Sequence, residues 1–249
     1  MSGHSKWANI KHRKGKQDAK RGKIFTRLAK EITIAAREGG GDPDANPRLR
    51  LAMLNARAVN MPGDNISRAV KKGTGELEGQ RLEELTYEGY APNGVAVIVE
   101  TVTDNKNRTV SEVRSLMSKH GGNMGETNSV AWNFERKGVI GIKNNGKSED
   151  ELLEHVLEAG ADDLEFDDEG SRVICPMESF SIVNKYFEAN GFELTEAKLE
   201  YIAKNTVSIT NLSDAQKVMK FLDALEDCDD VQNVFNNLDL DDAIAEQLD

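Results

Sequence analysis

The chain has 249 residues, 38% of them hydrophobic and 30% charged, with a net charge of −11. That composition fits a soluble globular protein of two or three domains, and the longest strongly apolar run, Val95–Val99, is too short to span a bilayer. The net charge conceals a split, because residues 1–72 carry +11 while residues 73–249 carry −22.

Taken in chain order, the first segment is the most cationic, with ten Lys/Arg against Asp18 alone in residues 1–30. Such a stretch repels itself and needs a polyanion to neutralise it. Nucleic acid is the first candidate, since neutralised phosphates release condensed counterions. The N-terminus has no apolar core of a secretory signal and lacks the Ser- and Leu-rich amphipathic pattern of a mitochondrial presequence. Ile24, Leu28, Ile32, Ala35 and Ala36 predict a helix that stops at Gly39-Gly40-Gly41. Asn46 caps a second helix with Pro47 at its first position. Pro62-Gly63-Asp64 opens a third, ending at Lys71-Lys72-Gly73. Three helices without a strand make a small α-domain.

Residues 74–81 read as a linker, after which the apolar period becomes two. Leu85–Tyr90 and Val95–Val102 are predicted strands joined by Pro92-Asn93-Gly94. Asp104 is read as the cap of a helix ending at His120-Gly121-Gly122, and Ser129–Phe134 as a further strand. Residues 138–203 then give the order β-α-β-β-α-β of a ferredoxin-like unit. Strand, helix and strand follow at Thr206–Thr210, Asp214–Leu225 and Val231–Phe235, and Leu238–Asp249 reads as a frayed acidic tail. The fold class is therefore α+β in three domains: an N-terminal three-helix domain and two ferredoxin-like α/β domains, the last inserted into the middle one. The boundaries are 1–78 for the basic helical domain, 79–136 with 205–249 for the discontinuous α/β domain, and 137–204 for the insertion.

Four features bear on chemistry. In the basic tail, cations flank His4, Trp7 and His12; cations meet phosphates, while an indole or imidazole face stacks on an unpaired base. Gly141–Ser148 matches the phosphate-loop pattern GxxxxGK[ST] letter for letter, yet Gly141 falls inside an apolar strand, and Asn144-Asn145-Gly146-Lys147 also reads as an ordinary turn with Ser148 as helix cap. The acidic cluster Asp162, Asp163, Glu165, Asp167, Asp168 and Glu169 lacks EF-hand spacing and reads as a solvated surface. Cys175 and Cys228 match no ligand spacing and read as reduced thiols, and no Ser/His/Asp or Cys/His constellation is visible. The residues give no catalytic group, no metal site and no cofactor.

The stretch from Gly3-His4-Ser5-Lys6-Trp7 through Lys23-Ile24-Phe25-Thr26 resembles the YebC/PmpR family of probable transcriptional regulatory proteins, relatives of the mitochondrial translational activator of cytochrome c oxidase. Further matches are Asp64-Asn65-Ile66 with Arg68-Ala69-Val70-Lys71-Lys72-Gly73, Tyr87-Glu88-Gly89-Tyr90, Thr103 through Ser111, and Gly121-Gly122-Asn123-Met124-Gly125. Asn128, where the family pattern has Gly, is a departure that points to a changed local turn. The resemblance covers nearly the whole chain from residue 2, which leaves no room for a transit peptide and implies a bacterial cytoplasmic member. It also implies a helical domain and two α/β domains.

The function implied is non-enzymatic regulation of gene expression through nucleic acid, as a DNA-binding transcriptional regulator. The alternative is a ribosome-associated translation factor that binds rRNA or tRNA and relieves stalling at difficult stretches such as consecutive prolines. Expected phosphate contacts are Lys6, Lys11, Arg13, Lys14, Lys16, Lys20, Arg21 and Lys23, with Trp7 and His12 as stacking groups. Lys71, Lys72, Arg108 and Arg114 are read as extending that surface. No membrane partner is expected, and a monomer fits the pattern.

Overall fold

A computed structural model describes residues 17–79, 81–167 and 170–248. In chain order these form α1 (Gln17–Gly39), α2 (Pro47–Ala58), α3 (Gly63–Gly73), β1 (Glu83–Tyr90), β2 (Ala96–Thr103), α4 (Lys106–Lys119) and β3 (Asn123–Met124). Then come β4 (Phe134–Ile142), α5 (Glu149–Ala159), β5 (Asp163–Glu165), β6 (Ser171–Pro176), α6 (Phe180–Ala189) and β7 (Leu194–Ala203). The last described elements are β8 (Val207–Ile209), α7 (Leu212–Glu226), β9 (Val231–Asn236), β10 (Leu238–Leu240) and α8 (Asp242–Leu248). Among the described residues the chain forms two compact units: 81–135 and 201–248 with 17–23 in one, Ile24–Gly79 and Arg136–Glu200 in the other.

In the second of these units, α1, α2 and α3 bury Ile32, Ala35, Ala36, Leu49, Ala52, Ala56, Ile66 and Ala69 against one another. The small residues let the helices approach closely. The approach is tightest at Gly73, where a Cβ would collide with the Thr33 carbonyl oxygen. Asn46 caps α2 by accepting from the Leu49 N–H at 3.1 Å. Its buried amide also donates to the carbonyls of Ala35 and Gly40 at 2.7 and 2.8 Å, tying the cap to the end of α1.

The same unit holds the β-α-β-β-α-β segment, with strand order β5-β6-β4-β7, the ferredoxin-like arrangement. β4 and β5 both run antiparallel to β6, with Ile140 opposite Val173. Ile140, Ile142, Leu152, Val156, Val173, Val183 and Phe187 form its core. Ser148 caps α5 in a reciprocal box with Glu151, and Gly160 at φ 71° ends it. The outer edge of β7 is covered by a side chain of α2: the Asn55 amide donates to the Ala197 carbonyl at 2.9 Å and accepts from its N–H at 3.3 Å. One asparagine thus satisfies both backbone groups of an edge residue that would otherwise be orphaned. On the sheet, Arg172 pairs with Glu165 and Glu200 at 2.7 and 2.6 Å. Burial works against its charge, but Glu200, Glu165 and Glu196 outweigh it and raise its pKa.

The other unit is built on the sheet β3-β1-β2-β9, whose pairs are all antiparallel. It has the helix-on-sheet layering expected from the sequence, in a strand order of its own. Val97 and Val99 of β2 face α4 and α7, packing with Val113, Met117, Phe221, Leu222 and Leu225. Ala96 and Ile98 on the opposite face pack with Val130, Phe134, Tyr201 and Phe235. Burial of both faces explains why residues 96–99 of β2 read as an unbroken apolar run.

Three local expectations are corrected. The cap of α4 is Asn105, which accepts from the Arg108 N–H at 3.1 Å, while Asp104 is held by the Arg108 guanidinium at 2.9 Å. Within Ser129–Phe134, residues Ala131–Asn133 form one 3₁₀ turn and the strand starts only at Phe134. The segment read as a frayed tail, Leu238–Asp249, is ordered over its described residues: β10 pairs with β8 in parallel, and Leu238, Leu240 and Ile244 are buried with the α7 core.

Candidate nucleic-acid interface

The cationic groups follow the helices. Lys20, Arg21 and Lys23 fall in the first turns of α1. Lys23 binds Asp227 at 2.8 Å and also reaches its carbonyl oxygen at 3.0 Å, with both side chains well exposed. An exposed pair of this kind is worth ~0–1 kcal/mol, so Lys23 can exchange its carboxylate partner for a phosphate. Lys71 and Lys72 end α3, with no ion pair among the described residues. Cations at a helix C-terminus complement its dipole, which accounts for their position without any partner. Lys6, Trp7, Lys11, His12, Arg13, Lys14 and Lys16 lie outside the described residues.

Arg108 is held by two carboxylates through one nitrogen of its guanidinium, with its side chain about half exposed. Its guanidinium binds Asp230 at 2.7 Å and Asp104 at 2.9 Å. Hydrogen bonding to Asp230 first, then to Asp104, raises its pKa. Asp230 is buried and also accepts from the hydroxyls of Thr103 and Thr109 at 3.1 and 2.8 Å. Within the run Thr103 through Ser111, Thr103, Arg108 and Thr109 hold α4 against the loop before β9. Arg114 is exposed.

A second carboxylate organises the loop ahead of β4. Glu88 in β1 is 8% exposed and accepts three backbone N–H groups, those of Asn128 at 2.7 Å and of Val130 and Ala131 at 2.8 Å. Asn128 has φ 67°, so this departure from the family pattern does sit in a left-handed turn, which asparagine tolerates better than most residues. The Ser129 carbonyl accepts from the Tyr90 hydroxyl at 3.2 Å and from the Trp132 indole N–H at 3.0 Å. Trp132 is 66% exposed, an aromatic group that a strand over 129–134 would conceal.

The phosphate-loop pattern dissolves in three dimensions. Gly141 pairs with Arg172 inside the sheet, and a Cβ on it would stand 2.5 Å from Thr195 Oγ1, so its glycine serves strand packing. Lys147 lies 6.0 Å from the Phe192 ring centroid. In the acidic cluster, Asp162 is bound to Lys137 and Glu165 to Arg172. His155 Nδ1 lies 3.0 Å from the Tyr186 hydroxyl, which donates to Glu158 at 2.5 Å. Burial first, then Glu158, pushes that phenol up to about 12. A cleft of about 380 Å³ is bounded by Leu54, Arg57, Ala58, Glu188, Phe192 and Leu194, with Arg57 and Glu188 its charged groups. No helix among the described residues is long and apolar enough to cross a membrane.

Comparison with known proteins agrees over the whole chain. Residues 5–76 match the model of the TACO1/YebC protein N-terminal domain, and residues 82–238 match that of the TACO1/YebC second and third domain. A probable transcriptional regulatory protein of Dictyoglomus turgidum is 53% identical over 249 residues, covering 100% of both chains. One from Fervidobacterium nodosum is 55% identical, over 100% of this chain and 98% of its own. The crystal structure of a conserved hypothetical protein from Aquifex aeolicus superposes with a TM-score of 0.85 at 47% identity, over 90% of this chain and 93% of that one. The chain belongs to the TACO1/YebC family.

Proposed function

We propose that this protein regulates gene expression by binding nucleic acid and catalyses no reaction. The observation that carries the reading is the charge split, +11 over residues 1–72 against −22 over the rest. A basic head on an acidic body takes its main electrostatic contact with a polyanion at the basic end. The relatives' names, probable transcriptional regulatory proteins, favour transcription, and we take duplex DNA as the polyanion. The residues that meet phosphate are Lys6, Lys11, Arg13, Lys14, Lys16, Lys20, Arg21 and Lys23, with Trp7 and His12 positioned among them and Lys71 and Lys72 at the end of α3. Three domains divided at 78/79, 136/137 and 204/205 fit this division of labour, the helical one meeting the polyanion. We take the protein to act in the bacterial cytoplasm.

The test is binding of the full chain to duplex DNA over a salt series, with co-sedimentation on ribosomes in parallel. Affinity for a preferred duplex that survives competitor DNA and falls steeply with salt supports transcriptional control. Persistent ribosome association without duplex binding moves the target to rRNA or tRNA. Absence of both across salt conditions refutes the proposal.

A further inference from the structure

The geometry points to Trp132 as a second nucleic-acid contact, a stacking platform for one unpaired base, with Lys204 beside it for the adjoining phosphate. This rests on the nucleic-acid reading above and adds a site outside the basic head. The indole is 66% exposed, yet it is not loose. Its N–H is held by the Ser129 carbonyl at 3.0 Å, which fixes the ring and leaves its face as the free surface. The turn beneath is fixed in turn by the three N–H groups bound to Glu88. A buried carboxylate that binds three N–H groups of one turn pre-organises the indole that the turn carries.

The surroundings favour a base over a protein partner. Among the described residues, the other large exposed apolar side chains, namely Ile24, Leu77, Leu153, Leu157, Met177 and Ile182, all belong to the other unit. An exposed aromatic with no other large, exposed apolar side chain in its own unit among the described residues suits a single planar ligand; a protein interface needs a contiguous apolar centre. The neighbouring groups are polar. The Lys204 N–H donates to the Asn133 carbonyl at 2.7 Å, and the Asn205 N–H donates to the Asn133 side chain at 3.0 Å, so both border the tryptophan turn. Lys204 is exposed and has no ion pair among the described residues. An exposed aromatic and a cation whose backbone is tied to the same turn supply the pairing that binds single strands irrespective of sequence.

The chain has two tryptophans, so Trp7→Phe makes Trp132 the sole indole reporter. In that background, an unstructured single-stranded oligonucleotide should quench the emission while the same sequence as a duplex should not. Trp132→Ala should weaken single-strand binding roughly 5- to 150-fold, with Trp132→Phe retaining most of the affinity. Duplex binding should be unchanged, and Lys204→Gln should lower the single-strand salt slope by about 1. Wild-type single-strand affinity in Trp132→Ala, or an equal loss on duplex, overturns the inference. So does a Trp132→Ala defect confined to co-purification of a protein. If the unaltered chain binds neither single strand, duplex nor ribosome, the functional proposal itself fails; if it binds and only Trp132 proves irrelevant, that proposal stands.

Discussion

Replacing Glu88 by Gln separates a structural carboxylate from a passive one. Its two oxygens accept three N–H groups, one on Oε1 and two on Oε2. Glutamine has one acceptor oxygen, so at least one of these N–H groups must face an amide N–H, and the bonds that remain lose the acceptor's charge. Hydrogen bonds to charged groups contribute ~1.5–3 kcal/mol, and a buried donor left unmade costs ~1–3 kcal/mol. The expected loss for Glu88→Gln is therefore about 2–4 kcal/mol, borne by the unit that contains β1 and the 128–133 turn. Urea unfolding by circular dichroism gives the overall change. Trp132 emission in a Trp7→Phe background reports the turn itself, and should change at lower urea than the dichroism if the turn loosens first. A shift within about 0.5 kcal/mol, the range of ordinary surface substitutions, would refute the reasoning.

Three further outcomes are expected. Replacing Lys11, Arg13 and Lys14 with Ala should weaken binding to any nucleic acid and reduce the salt slope by about 1 for each phosphate no longer neutralised, read by fluorescence anisotropy over a salt series. Phe187→Ala, at a fully buried position against Phe192, should cost about 3–5 kcal/mol in urea unfolding. Burial first, then Asp162, pushes the Cys175 thiol up to about 11 from 9.0. The folded state thus favours the neutral thiol: its contribution is complete below about pH 9 and is lost as pH rises through 11. The native thiol should resist iodoacetamide at pH 8, and Cys175→Ala should flatten the decline in stability between pH 9 and 11.

The family motifs divide into two physical kinds. Those in the body explain themselves by packing. Tyr87-Glu88-Gly89-Tyr90 holds the 128–133 turn, and Thr103 through Ser111 closes on Asp230. Gly122 leaves room for the Phe221 ring, which a Cβ there would strike. The motif of the basic head, with its cations about Trp7, lies outside the described residues, and no packing contact among those residues accounts for it. Similarity that spans both kinds identifies the family.

By itself the sequence determined the elements whose cause is local. The Pro47 start and Asn46 cap of α2, the Ser148 box of α5, the hairpin over Pro92-Asn93-Gly94 and the β-α-β-β-α-β order all rest on spacing and on residues that satisfy nearby backbone groups. The charge split is likewise a property of composition. Tertiary structure decided whatever depends on residues far apart in the chain. Arg108 looked like a free cation until Asp230, 122 positions away, took its guanidinium. Gly141 belonged to a phosphate-loop pattern until the β7 side chain of Thr195 filled the space above it. Residues 238–248 looked like a solvated acidic tail because Asp239, Asp241, Asp242 and Glu246 break up their apolar groups, yet Leu238, Leu240 and Ile244 close the α7 core. Trp132 read as a strand residue until Glu88 bent the chain into a turn and left the indole in solvent. In each case a long-range partner outweighs the local pattern, and that partner is visible only when the chain is folded.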